Sequence, residues 1–217
     1  MNIGWIILWL AANYLMPVET YVDFGHAAKG HTYYTTVYLA NNTDKTYKIT
    51  SSRSVCRCTV SQIEYRTLAA GDSTAIRMKL EYSPDLDDSI EQSVYILTES
   101  GEEKKYYIYR LTARTDKPQM MSAGDDIIKV TSVSKTNLFR GEVKIKNTGK
   151  KTIKVKPAFM PEKVTSNRKY PVSIAPGKSE KFAFEGESIS FINIRSITLE
   201  AGDGVITERL SLPIDIR

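Results

Sequence analysis

Two cysteines, the only two in the chain, stand one residue apart in Ser54-Val55-Cys56-Arg57-Cys58-Thr59-Val60. Thiols at this spacing could form a disulfide, exchange electrons with another thiol, or capture a soft metal such as copper(I) or zinc, and Arg57 between them favours the thiolate. On a regular strand Cys56, Cys58 and Val60 share one face, with Val55, Arg57 and Thr59 opposite. Their α-carbons then lie about 6.6 Å apart with parallel β-carbons, so a disulfide requires a turn or bulge and would be comparatively easy to reduce. Two further readings stay open: a pair of small buried hydrophobes, and a bridge between molecules. A structural zinc site takes four ligands, and only His26 and His31 are available to join the thiols. Nothing in their spacing resembles a ligand pair, so both read as ordinary surface or loop histidines. Cys56 and Cys58 are therefore incomplete metal candidates, and no cofactor is expected. Nucleophilic catalysis also needs a base and an orienting group. The chain shows no such constellation, and the expectation is a protein that is not an enzyme.

A second candidate is cationic. In Glu142-Val-Lys144-Ile-Lys146-Asn-Thr-Gly-Lys150-Lys151-Thr-Ile-Lys154-Val-Lys156, alternation places Val143, Ile145, Ile153 and Val155 inward. Read as one hairpin, the segment gathers Lys144, Lys146, Lys154 and Lys156 on neighbouring strands and Lys150 and Lys151 at the turn, with Lys163, Arg168 and Lys169 extending the patch. Such a surface suits an anionic glycan, lipid headgroups or an acidic protein, or is simply a solvated face that discourages edge aggregation. No aromatic side chains are interleaved for stacking on bases, so nucleic acid is not expected. A third segment, Lys104-Lys105-Tyr106-Tyr107-Ile108-Tyr109-Arg110-Leu111, reads as a sandwich strand that would accept a partner strand if it lies at a sheet edge.

The elements that must carry these residues are strands. Tyr21–Phe24, His31–Leu39, Ala75–Tyr82, Ser93–Thr98 and Tyr106–Thr112 are short alternating or β-branched and aromatic runs bounded by Gly, Asn, Asp, Ser or Pro. No helical period is sustained. A second series runs from Ile127 to Ile216, and the two are in register: Asn147-Thr148-Gly149-Lys150 follows Asn41-Asn42-Thr43-Asp44 by 106 residues, as Ala175-Pro-Gly177 follows Ala69-Ala-Gly71. An ungapped offset of this length reads as duplication. The Asn-Thr-Gly-Lys segments read as turns in which Gly and Asn tolerate positive φ, and the Ala-Pro-Gly-Lys-Ser segment as a second turn. The expected fold is all-β, two tandem immunoglobulin-like antiparallel sandwiches at 18–114 and 127–217, joined by a linker at 115–126. The second copy has Glu162 and Val164 where the first has Cys56 and Cys58.

The 217 residues carry 30 Lys and Arg against 25 Asp and Glu, a net charge of +5, which is a mild basic bias. The apolar run from Met1 to Ala12 ends near Met16-Pro17. It is too short for a membrane span and reads as a signal peptide or short anchor over residues 1–17, with a buried first strand as the alternative.

Tyr21-Val-Asp-Phe-Gly25, Leu39-x-Asn41 with Asp44-Lys45, Ser54-Val-Cys56-Arg-Cys58-Thr59 and Ala70-Gly71-Asp-Ser73 together resemble a widespread, functionally uncharacterised bacterial family with a Ser-Cys-Gly-Cys-Thr signature. That family is similar to the Hydin-like, major-sperm-protein-like and PapD-like immunoglobulin sandwiches. Arg57, Thr43 and Ala70 stand where the family tends to have Gly, Gly and Pro. The resemblance implies an exported, non-enzymatic binding or structural module of the cell envelope, periplasmic or at the cell surface. Its expected partner is an envelope protein or an anionic glycan or lipid surface. The alternative function is thiol redox or soft-metal handling through Cys56 and Cys58.

Overall fold

The computed structural model describes residues 15–17, 20–54, 58–133, 138–161, 163–166, 168–187 and 196–216. It is all-β, as expected, with no helix among the described residues. In the first half the strands are β1 (Leu15–Pro17), β2 (Tyr21–Ala27), β3 (His31–Asn41), β4 (Tyr47–Ser54), β5 (Cys58–Ile63), β6 (Thr67–Leu68), β7 (Ser73–Tyr82), β8 (Ser89–Ser100) and β9 (Glu103–Arg114). In the second they are β10 (Met121–Ala123), β11 (Ile128–Val133), β12 (Leu138–Asn147), β13 (Ile153–Phe159), β14 (Val164–Ser166), β15 (Val172–Ile174), β16 (Ser179–Glu187), β17 (Ser196–Gly202) and β18 (Thr207–Ile216).

Period-two alternation of β-branched and aromatic residues sets which side of each strand is buried. On β3, Tyr33, Thr35, Val37 and Leu39 face inward, while Tyr34, Thr36 and Tyr38 lie on the other face. In the first half β1–β3–β7–β5 packs over β6–β4–β8–β9–β2, with Tyr33, Ile76, Tyr47 and Leu111 meeting in one core. In the second half β12, with β10, β11, β16 and β14, packs over β15–β13–β17–β18 around Ile145, Ile153, Phe182 and Leu199.

The ladders of the two halves correspond residue by residue. Leu15 opposes Asn41 as Met121 opposes Asn147, Leu39 opposes Thr74 as Ile145 opposes Glu180, and Tyr47 opposes Leu68 as Ile153 opposes Ile174. All six pairs obey the offset of 106. After β7 and β16 the second half runs three residues shorter, so that Arg53 opposite Tyr95 matches Phe159 opposite Thr198.

A buried asparagine frames each half in the same way. The Asn41 side-chain amide donates to the carbonyls of Lys45, Leu68 and Ala69 at 2.8, 2.9 and 2.8 Å, and the Asn147 amide donates to Lys151 and Ile174 at 2.8 Å each. Their Oδ1 atoms accept from the backbone N–H of Thr43 at 3.1 Å and Gly149 at 2.9 Å. These side chains tie β3 to the following loop and to β6, and β12 to its counterparts.

Several expectations are corrected. The Asn-led segments turn through the asparagine side chain, without positive φ at Gly149; positive φ occurs in the later turns, at Gly71 and Gly177. They cross from one sheet to the other and do not close a hairpin, because β12 pairs with β10, β11 and β16 while β13 pairs with β15 and β17. The sheets are not wholly antiparallel: β2–β9, β11–β18 and β18–β2 are parallel. Within the segment assigned to a linker, Met121–Ala123 forms β10 and Met121 is fully buried. At the other end, Leu15–Pro17 form β1 against β3, and the rest of the expected leader lies outside the described residues.

Candidate functional site

Cys56 lies outside the described residues. Cys58 opens β5 and pairs with Leu80 on β7. Val164, buried, pairs with Gly186 at the same place in the second half. The backbone frame is thus built equally well around valine. His31 lies on β3, half-buried. His26 departs from the surface or loop position expected of it: it is 4% exposed on β2. Its Nδ1 lies 2.5 Å from the Asp116 carbonyl oxygen, and its Nε2 lies 3.3 Å from an Arg114 guanidinium nitrogen and 3.7 Å from the Glu208 carboxylate. His26 is held by the joint between the halves. Among the described residues no cluster of three or more His, Cys, Asp or Glu is arranged to hold a metal ion.

The lysines do not form one patch. Lys144 and Lys146 are exposed on β12, and Lys154 and Lys156 are exposed on β13. Since Val143 and Ile145 meet Ile153 and Val155 from opposite sheets of the same core, the two outward pairs point in opposite directions. The crossing carries Lys150 and Lys151 at its tip. Acids are interspersed: Lys156 reaches Glu200 at 3.1 Å, Lys151 reaches Asp203 at 3.6 Å, and Lys181, opposite Lys144, reaches Glu142 at 3.0 Å.

The tyrosine segment is β9, and its position is mixed. β8 pairs along its whole length, whereas β2 pairs with it only from Arg110 onward. The Arg110 N–H points away from β8, donating to the Thr20 carbonyl at 2.8 Å. By alternation the backbone groups of Tyr106 and Ile108 point the same way, and no strand lies against them among the described residues. Glu103, at the start of β9, receives Lys105 at 2.8 Å and Lys45 at 2.9 Å, and these hydrogen bonds hold its carboxyl down to about 2.

What the sequence did not reveal is the joint between the halves. β2 lies between β9 and β18, with His26 opposite Leu210 and Ala27 opposite Ser211, so a strand of the first half is also a strand of the second half's sheet. Gly25 makes this approach available: its φ is +67°, and a β-carbon there would sit 2.2 Å from the Arg209 carbonyl oxygen. Arg209 donates to the Asp23 carbonyl at 3.2 Å and lies over the Phe159 ring, which itself packs edge-on against Phe24. Ser211 donates to the Phe24 carbonyl at 2.6 Å, and Ser196 Oγ accepts the Tyr34 N–H at 3.0 Å. Burial works against charge on Glu200, but Lys156 and Arg209 outweigh it and hold its carboxyl below the usual range. Their contribution is therefore present above the ordinary glutamate pKa and lost as the pH falls below it.

A cavity of about 430 Å³ opens beside His26. Its Lys29 is already paired with Asp88 at 2.8 Å, and Asp116 and Asp126 also line it. The mixture of signs offers no single ligand charge to recognise.

A signal for the joint was present in the register. Gly25 stands opposite Thr131 in the repeat, Thr35 opposite Gly141, and Arg53 opposite Phe159. Exchanged glycines and a surface position turned aromatic mark where the copies part.

Among solved structures, the chain is similar to the Vibrio cholerae VesB protease at 14% identity and a TM-score of 0.42, covering 48% of this chain and 32% of that one, or about a third of the protease's length. A protein of unknown function from Porphyromonas gingivalis W83 is similar at 11% identity and a TM-score of 0.37, covering 93% of this chain and 99% of that chain. PapD-like domain 7 of human CEP192 is similar at 10% identity and a TM-score of 0.38, covering 54% and 96%. No curated protein sequence matches the chain. In sequence, residues 16–112 match the family described as "Protein of unknown function (DUF1573)", which spans the first half from β1 to β9.

Proposed function

We propose that the chain is a non-enzymatic, exported binding or structural module of the cell envelope, built from two tandem immunoglobulin-like sandwiches that engage a protein partner by strand addition. The observation that carries this reading lies within the chain itself. At Leu210–Ser211, β18 accepts β2 as an added parallel strand, and the matching stretch of β9, centred on Tyr107 and Ile108, has no strand beside it among the described residues. An edge whose twin is occupied by main-chain pairing is shaped for the same use. The apolar run from Met1 to Ala12 supports an exported location.

A photo-crosslinking residue in place of Lys104 tests this in cells. Export predicts that the chain fractionates with the envelope and forms an adduct with a protein there. Tyr106→Pro removes an outward N–H while sparing the β8 ladder, and it should abolish the adduct. A chain that stays in the cytoplasm, or an adduct indifferent to Tyr106→Pro, would falsify the reading.

Thiol redox or soft-metal handling by Cys56 and Cys58 is the second reading. It is favoured by one observation only: Val164 fills the place of Cys58, so the frame gives no structural reason for a thiol there.

A further inference from the structure

The two halves use the same sheet face differently. In the second half the outer face of β13–β17–β18 carries Phe159, Thr198, Arg209 and Ser211, and it is covered by the first half: Thr198 is 0% exposed and Ser211 2%. Phe159 packs on Phe24 and Ser211 bonds the Phe24 carbonyl across this contact. The equivalent positions on β4–β8–β9 of the first half are Arg53, Tyr95, Tyr106 and Ile108, with Leu97 in the place of Glu200. There the face is uncovered. Tyr106 is 68% exposed and Ile108 39%, and together with half-buried Tyr95 and Leu97 they form a continuous apolar stripe.

We propose that this stripe is a self-association surface, on which two copies of the chain stack face to face across a two-fold axis. Tyr95, Leu97, Tyr106 and Ile108 stand where Thr198, Glu200, Arg209 and Ser211 stand on a face whose twin docks one sandwich on another, and such a contiguous exposed apolar stripe favours contact over solvation. Its charges select the occupant. One end is bounded by Arg110 with Glu91 at 3.4 Å, the other by Lys104 with Glu99 at 3.4 Å. Each end holds both signs, so an anionic glycan meets carboxylates and a basic partner meets Arg53, Arg110 and Lys104. A two-fold axis lying in the interface and parallel to the strands, between β8 and β9, sets Glu91 of one copy over Arg110 of the other and Glu99 over Lys104. Opposite charges then face each other while the stripes meet, as an isologous contact requires. The head-to-tail alternative has no acceptor, because in the second half β11 closes onto β12 where the first half leaves its slot for docking. The proposal does not depend on strand addition at the β9 edge, which uses backbone groups and not this face.

Light scattering on size-exclusion eluates of the full chain tests it at concentrations from micromolar to about 1 mM. The expected result is twice the single-chain mass. Tyr106→Ser with Ile108→Thr should return it to the single-chain mass, with association weakened by about 30-fold or more and the unfolding temperature unchanged, since both side chains are exposed. Should that variant fold poorly, Arg110→Glu weakens association severalfold on its own and adding Glu91→Arg restores it. A chain that stays single at every concentration overturns the proposal. So does a dimer whose mass ignores both sets of variants, or a single chain that binds a glycan through Tyr106.

Discussion

β2 and β11 occupy corresponding places in the two halves, yet β11 closes onto its own half while β2 reaches into the other. β11 pairs with β12 and β18, both in its own half, with Val130 opposite Gly141. β2 pairs with β9 and with β18 of the other half. Two exchanged residues account for the difference. A β-carbon on Gly141 would lie 2.8 Å from Ile128 Cγ2 and 3.2 Å from Val130 Cγ2, so β11 seats on β12 only because that residue is glycine. The first half has Thr35 there, buried, with its hydroxyl unpartnered. Conversely Gly25 lets β2 come against the Arg209 carbonyl, and the second half has Thr131 in its place. A strand that cannot close at home leaves a slot, and the slot is filled by Phe159, Ser196 and Ser211 of the neighbouring half.

The largest effect is expected where the reaching strand passes closest. Gly25→Thr, which copies the second half's residue, combines positive φ with a backbone clash and should cost at least about 3 kcal/mol in chemical denaturation. A loss below about 1 kcal/mol would mean that the joint tolerates the closed-copy residue and that Gly25 does not decide the exchange. Next come the two framing asparagines. Asn41→Ala should cost about 2–3 kcal/mol by removing these largely buried hydrogen bonds, and Asn147→Ala somewhat less, because Asn41 serves three carbonyls and Asn147 two. Equal losses would show that the third contact of Asn41 adds nothing. Gly141→Thr should cost about 1–3 kcal/mol and raise amide exchange in β11 selectively, as overpacking lifts it from β12. Protection of β11 that survives the substitution would break the account of why the two strands differ. The smallest effect belongs to Cys58→Val. Thermal unfolding should shift by less than about 1 kcal/mol, since valine already holds that ladder position in the second half. A large destabilisation would give the Cys-x-Cys segment a structural role that the comparison denies it.

Much of this frame was legible. The offset of 106 between Asn41 and Asn147 was read from letters alone, and it holds through six ladder pairs because side chains of the same type at the same spacing solve the same hydrogen-bonding problem. The burial of Val143, Ile145, Ile153 and Val155 followed from alternation. The candidate sites were less legible. The lysine segment looked like a hairpin because alternation on both sides of Asn-Thr-Gly-Lys is compatible either with a turn within one sheet or with a crossing between two. His26 looked like a loop residue because its burial depends on Asp116 and Glu208, which are 90 and 182 positions away.

The sequence by itself determined that the chain is all-β, which residues of the alternating strands on either side of Asn147 face a core, and that the two halves share a pattern of turns at a fixed offset. These properties are written locally, in a period of two and in turn chemistry that repeats. Only the tertiary structure decided which strand lies beside which. A period of two names the buried face of a strand without naming its neighbour, and the choice between β3 and β18 as the partner of β2 rests on whether a β-carbon is present at positions 25 and 35, close contacts that exist only once the chain has folded.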